Sequence, residues 1–129
     1  MAACLAVAAA TAGCASLPRS GGLRDAVLER LYFGRNIGDT AVVSDSAWAA
    51  FVRDVITPEF PRGATIWGAT GQWLAPAGNL VRERTFVVEL LHAPTTEADR
   101  RVDAVIAAYK RQFAQESVLR TVTKVRAGY

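Results

Sequence analysis

Histidine and methionine each occur once in this chain of 129 residues, and cysteine only twice. These shortages exclude whole classes of chemistry. A lone histidine, His92, cannot make a metal site without partners, and two cysteines cannot form a thiolate cluster. His92 is also the only imidazole that could activate a nucleophile, and Ser44, Ser46 and Ser117 all lie far from it in sequence. A hydrolase triad is therefore open only in principle. No glycine-rich loop follows a strand into a helix, so no phosphate cradle is expected. Neither a metal nor a cofactor is expected. Beyond Cys14 no apolar run is long enough to span a bilayer.

Lysine is scarce as well. Thirteen of the fifteen basic residues are arginine, which with the high alanine content fits a GC-rich genome. Positive charge exceeds negative by three. From Arg19 to Arg62 six arginines balance six carboxylates, whereas from Gly63 onward nine basic residues face six acidic ones. Such an excess can attract acidic headgroups or other polyanions. It lacks the dense basic patch interleaved with aromatics that nucleic-acid binding needs, so no nucleic-acid partner is expected.

What the sequence does carry begins at its N-terminus. Residues Ala2 to Ala12 form an uncharged apolar run of the length of a signal-peptide core, too short to cross a membrane as a helix. Thr11-Ala12-Gly13-Cys14 then resembles a bacterial lipobox, in which small residues precede a cysteine that is diacylated and becomes the new N-terminus. Two features depart from that pattern. Thr11 stands where leucine is usual, and no basic residue precedes the apolar run. Secretion with cleavage after Ala12 or near Ala15-Ser16 is the competing reading, and a buried alanine-rich helix is the plainest one. Lipidation also accounts for the cysteines: Cys4 falls in the removed segment, and acylation occupies the thiol of Cys14. Residues 1–13 are thus expected to be a signal peptide, and residues 14–26 a lipidated cysteine with a flexible tether containing Pro18, Gly21 and Gly22. Residues 27–129 form the single domain. The expected location is the periplasmic face of the cell envelope, anchored to a membrane through Cys14, with a soluble periplasmic form as the alternative.

Within the domain the apolar pattern changes period four times. Glu29 to Ile37 reads as a first strand. Ser44-Asp45-Ser46 supplies N-cap oxygens, and Trp48, Phe51, Val52 and Val55 then mark one helical face. Thr57-Pro58 and Phe60-Pro61 should stop that helix. Ala64 to Leu74 is a second strand, Ala75 to Asn79 a turn, and Leu80 to His92 a third strand, almost continuously apolar toward its end. Pro94 with Thr95 or Thr96 opens a second helix, with Thr96 and Asp99 at capping-box spacing and Val102, Val105, Ile106, Tyr109 and Phe113 as its buried stripe. Ser117 to Val125 closes the chain as a strand. The order β-α-β-β-α-β predicts an α+β, ferredoxin-like domain, a four-stranded antiparallel sheet with two helices on one face. The opposite face is then open and is the expected place for function.

Candidate residues follow from that layout. Alternation puts Arg120, Lys124 and Arg126 on one side of the last strand, and a basic open face is expected from them. Gln115-Glu116-Ser117, at the helix-to-strand junction, offers amide, carboxylate and hydroxyl groups for a ligand, near Tyr109; the plainer role is bonding to local backbone. Gln72 and Trp73 approach the hairpin that Arg82, Glu83 and Arg84 leave, a pattern that cross-strand pairing explains. His92, Tyr32 and Arg35 complete the ligand-binding candidates, although Tyr32 and Arg35 differ in parity and should not share a sheet face. No catalytic residue is assigned.

Several of these segments occur together elsewhere. Leu31-Tyr-Phe-Gly-Arg-Asn-Ile, Ser44-Asp-Ser-Ala-Trp-Ala-Ala-Phe, Thr57-Pro-Glu-Phe-Pro-Arg-Gly, Gly71-Gln-Trp and Tyr109-Lys-Arg-Gln-Phe-Ala-Gln-Glu-Ser-Val resemble the bacterial domain of unknown function 3574, in order from about Leu31 to Tyr129. The resemblance implies a domain of these bounds, and export, since many members carry lipoprotein-type signals. It implies no activity, substrate or catalytic residue. The expected function is a non-catalytic binding or structural module of the envelope, taking a small molecule or an envelope ligand. The alternative is a small enzyme whose site is enclosed when two copies pair sheet to sheet, as in dimeric α+β barrels, forming a homodimer through the open face.

Overall fold

A computed structural model describes residues 22–38 and 41–128. The expected signal segment and Cys14 lie outside the described residues. In chain order the elements are β1 (Arg24–Gly34), β2 (Asn36–Ile37), β3 (Ala41–Val42), α1 (Asp45–Phe51), a π-helical turn (Val52–Ile56), α2 (Thr57–Glu59), β4 (Thr65–Leu74), β5 (Leu80–His92), α3 (Thr96–Gln112) and β6 (Leu119–Ala127). β1, β4, β5 and β6 form one sheet in the order β4-β5-β1-β6, antiparallel at every step, while β2 and β3 pair separately. The result is a mixed α+β domain with a four-stranded antiparallel sheet and two helical segments.

The helices pack on the sheet face that carries Leu31 and Phe33 of β1 with Val88 and Leu90 of β5. Trp48, Phe51 and Ile56 from the first helical segment and Val102, Val105 and Tyr109 from α3 join these residues in one buried cluster. Aromatic rings dominate its middle. Phe33 meets Tyr109 edge-on at 4.7 Å, and Trp48 stacks on Phe86 at 4.4 Å. Such pairs add about 0.5–1.5 kcal/mol beyond the area they bury.

Local chemistry explains the ends of the elements. Ser44 Oγ accepts the Ala47 N–H and caps α1, and Thr95 Oγ1 accepts the Ala98 N–H and caps α3, so Thr95 rather than Thr96 is the cap. The first helical segment runs past the expected stop at Thr57-Pro58. Proline has no N–H to give, and the chain accommodates it with the wider turn before it: the Thr57 N–H reaches back to the Val52 carbonyl, which Thr57 Oγ1 also bonds at 2.9 Å. β1 starts at Arg24, ahead of the expected Glu29, because β6 pairs with it as far as Ala127 opposite Arg24. It ends at Gly34, and Asn36–Ile37 turns away to pair with Ala41–Val42. Among the described residues no helix is long and apolar enough to cross a membrane.

Candidate functional site

Antiparallel partners point to the same side of a sheet, so the register assigns every strand residue to a face. Leu31 opposite Val88 and Phe33 opposite Phe86 mark the helix-covered side. The open side therefore carries Ala26, Leu28, Arg30, Tyr32 and Gly34 of β1, with Val81, Glu83, Thr85, Val87 and Glu89 of β5. β4 adds Trp67, Ala69, Gly71 and Trp73, and β6 adds Leu119, Thr121, Thr123 and Val125. This face is largely apolar, with Trp67 39%, Trp73 47% and Leu119 60% exposed. Its central charged pair is Arg30 with Glu89 at 2.7 Å.

At one end of this face lies a cleft of about 830 Å³, within the range of small-ligand sites. It forms because the β4–β5 hairpin projects beyond the end of β1, whose last pairing is Gly34 opposite Thr85. The projecting part supplies Trp73, Val81 and Glu83, β1 supplies Tyr32, and the α3–β6 junction supplies Gln115, Glu116 and Ser117. Ala114 starts that junction with φ of 49°. This left-handed conformation usually falls to glycine at a helix end, and here it aims the next three residues toward the cleft.

Glu83 is the half-buried carboxylate of the cleft. Its Oε1 accepts the Asn36 backbone N–H at 2.7 Å. The carboxylate lies over Gly34, where a Cβ would sit 2.6 Å from Oε1. Beneath it the Tyr109 hydroxyl donates to the Gly34 carbonyl at 2.8 Å. Burial pushes the Tyr109 phenol well above its ordinary range, and the nearby negative charge of Glu83 pushes it the same way, with Arg35 opposing. Among the described residues no cation pairs with Glu83.

The structure therefore gathers five of the expected ligand residues, Tyr32, Trp73, Gln115, Glu116 and Ser117, around one cleft. Gln115 keeps a structural duty there: its Nε2 donates to the Asn36 carbonyl at 2.6 Å, tying the junction to β2. The other candidates lie elsewhere. Arg35 is buried, and its guanidinium donates to the Val43 carbonyl, pairs with Asp45 at 2.8 Å and stacks on Phe86. It clamps the β2–β3 excursion. Tyr109 belongs to the core, with only its hydroxyl near the cleft floor. Gln72 pairs with Arg82 on the opposite side of the hairpin. His92 sits at the far end of β5, its Nδ1 against the Ala93 carbonyl at 2.8 Å and its Nε2 against Glu29 at 3.1 Å. Gln72, His92 and Glu116 thus share no pocket.

The expected basic open face requires correction. Arg120, Lys124 and Arg126 do share one side of β6, but their partners Leu31, Val27 and Asp25 place that side with the helices. Arg120 reaches Glu29 through Nε and Nη2, both at 2.6 Å, and also Asp99 and Asp103 of α3. Glu29 is fully buried and must be paired; Arg120 is there to do so. Glu83, Gly34 and Asn36 were missed by sequence reasoning. Glu83 has the parity of Val81 and Thr85, but flanked by Arg82 and Arg84 it reads as one of several cross-strand charges.

No group of three or more His, Cys, Asp or Glu side chains that could hold a metal ion occurs among the described residues. In sequence, residues 28–129 match the family described as "Protein of unknown function (DUF3574)", and the chain belongs to it. No curated protein matches the chain. Solved structures share its fold, two phage enzymes among them. A phage SAM lyase in complex with S-methyl-5′-thioadenosine is 18% identical, with a TM-score of 0.59 over 81% of this chain and 90% of that one. A phage SAM lyase in the apo state is 19% identical, with a TM-score of 0.59 over 88% and 96%.

Proposed function

We propose that the protein is an exported domain, lipid-anchored through Cys14 on the periplasmic face of the envelope, that binds a small organic ligand in the open-face cleft. One observation carries the binding reading. Five residues chosen from sequence as ligand contacts, drawn from two separate strands and a helix-to-strand junction, converge with Glu83 of a third strand on a single cleft. The order β4-β5-β1-β6, with β1 and β5 central, supports a ferredoxin-like arrangement. In that arrangement one sheet face is left for ligands or partners. The likeness to the phage lyases speaks for the fold alone at 18% and 19% identity, but the nucleoside bound in one of them is a rational first probe.

Titration of the purified protein with S-methyl-5′-thioadenosine, followed by tryptophan fluorescence and calorimetry, tests the reading. Saturable binding that Trp73→Ala abolishes is the expected result. A flat response rejects the cleft as a site for this class of ligand.

A second reading has its own observation. Trp67, Trp73 and Leu119 are exposed on the open face, and apolar surface of this kind marks contact sites. In that reading two copies pair sheet to sheet and enclose the cleft as the site of a small enzyme. Sedimentation equilibrium decides it: a dimer that Trp67→Glu dissociates supports pairing, and a monomer at all concentrations rejects it.

A further inference from the structure

We infer that the cleft selects a positively charged organic ligand, with Glu83 as its recognition carboxylate and Tyr32 and Trp73 as aromatic walls; this rests on the cleft being a ligand site. The charge distribution points this way. The chain carries fifteen basic and twelve acidic residues, yet among the described residues those lining the cleft include Glu83 and Glu116 and no lysine or arginine. An anionic ligand would meet two carboxylates and no counter-charge.

The treatment of two carboxylates on the same strand face sharpens the point. Glu89, six residues along β5 from Glu83, is given a guanidinium, that of Arg30 at 2.7 Å. Among the described residues Glu83 is given only the backbone N–H of Asn36 and a seat over a glycine. The seat fixes its position without neutralising it. A partly desolvated carboxylate with no cation gains most when a ligand brings one. Aromatic faces strengthen that preference, because the ring quadrupole attracts cations, more so where water is excluded. Tyr32 and Trp73 share the open face with Glu83 and line the same cleft. Sulfonium and quaternary or primary ammonium compounds are the classes this combination recognises.

The decisive experiment compares two probes built on one scaffold, S-methyl-5′-thioadenosine and its S-methylated sulfonium. They differ by one methyl group and one positive charge. Both are titrated into the full chain and into Glu83→Gln, which keeps an acceptor for the Asn36 N–H. The expected result is that the wild type binds the sulfonium at least about tenfold more tightly, in line with cation–π and charge-assisted contacts. In Glu83→Gln that preference should collapse while affinity for the neutral thioether stays within about twofold. Equal affinity of the wild type for both probes overturns the inference and leaves the binding reading intact. Failure of both probes to bind overturns the binding reading and the inference with it. The wild-type comparison holds whether or not the variant folds.

Discussion

The Glu83 carboxylate lies over Gly34 so closely that a methyl group on the glycine would sit 2.6 Å from Oε1 and 2.8 Å from Cδ. Gly34→Ala must therefore displace the carboxylate. The obstructing atoms belong to the end of a flexible side chain, so the backbone can stay in place. Loss of the Asn36 N–H bond costs about 1 kcal/mol, and the smaller entropy of the unfolded alanine chain returns a similar amount. Stability should change by less than about 1 kcal/mol in urea titration, while the preference of the cleft for a cationic probe disappears. A variant that keeps the preference would show that the position of Glu83 is not what recognises the ligand.

Arg120 offers the opposite kind of test. Its guanidinium holds the fully buried Glu29 with two bonds of 2.6 Å, and Asp99 and Asp103 close around it from α3. Glu29 raises the Arg120 pKa chiefly through this hydrogen bonding, and burial opposes the shift. Removing one partner leaves a buried charge without its counter-ion, which costs 3–5 kcal/mol in fully buried pairs. Arg120 keeps some contact with solvent, so Arg120→Met should destabilise by about 2–3 kcal/mol. Vesicle binding should respond only as far as unfolding does. A stable Arg120→Met protein with weakened vesicle binding would restore a membrane role for this strand.

Tyr109 links core and cleft through pH. Its folded-state pKa lies above the ordinary value of 10.0, raised by burial and then by the Glu83 charge. The native state therefore holds the phenol proton after the unfolded chain has released it, so stability falls as pH rises beyond about 10. Below that range the contribution is fully present. Tyr109→Phe loses the bond to the Gly34 carbonyl, worth about 1 kcal/mol at neutral pH. The stability difference between wild type and Tyr109→Phe should then shrink above pH 10, read from urea midpoints across pH. A difference that stays constant to pH 11 would mean that the phenol ionises as easily in the folded protein as in the unfolded chain.

Much of the fold was legible because helix and strand periods are local. Trp48, Phe51 and Val55, and Val102, Val105 and Tyr109, announce their buried faces by spacing alone. Parity along β6 likewise grouped Arg120, Lys124 and Arg126 correctly. It could not say which side of the sheet they faced, because alternation is symmetric until a partner strand breaks the tie. Glu29 could have broken it: it shares parity with Leu31 and Phe33, so it must be buried, and a buried carboxylate demands a cation. The cleft was half legible. The junction residues Gln115 to Ser117 stood out by composition, but their meeting with Glu83 depends on a hairpin overrunning the end of β1, a register fact with no local signature.

The proposed anchor at Cys14 can be tested without reference to the fold. A single acyl chain holds a protein only marginally on a membrane, whereas two chains, at about 0.8 kcal/mol per buried methylene, hold it stably. A diacylated chain expressed in a bacterial host should therefore partition into the detergent-rich phase. Cys14→Ser removes the acceptor sulfur and should move the protein into the aqueous phase, or block its processing altogether. Cys4→Ser lies within the segment expected to be cleaved and should change nothing, which separates lipidation from any general effect of losing a thiol. Aqueous partition of the wild type would reject the anchor and leave simple secretion or retention in the cell. Detergent partition of both wild type and Cys14→Ser would trace the membrane association to the apolar run from Ala2 to Ala12 instead of to an acyl chain.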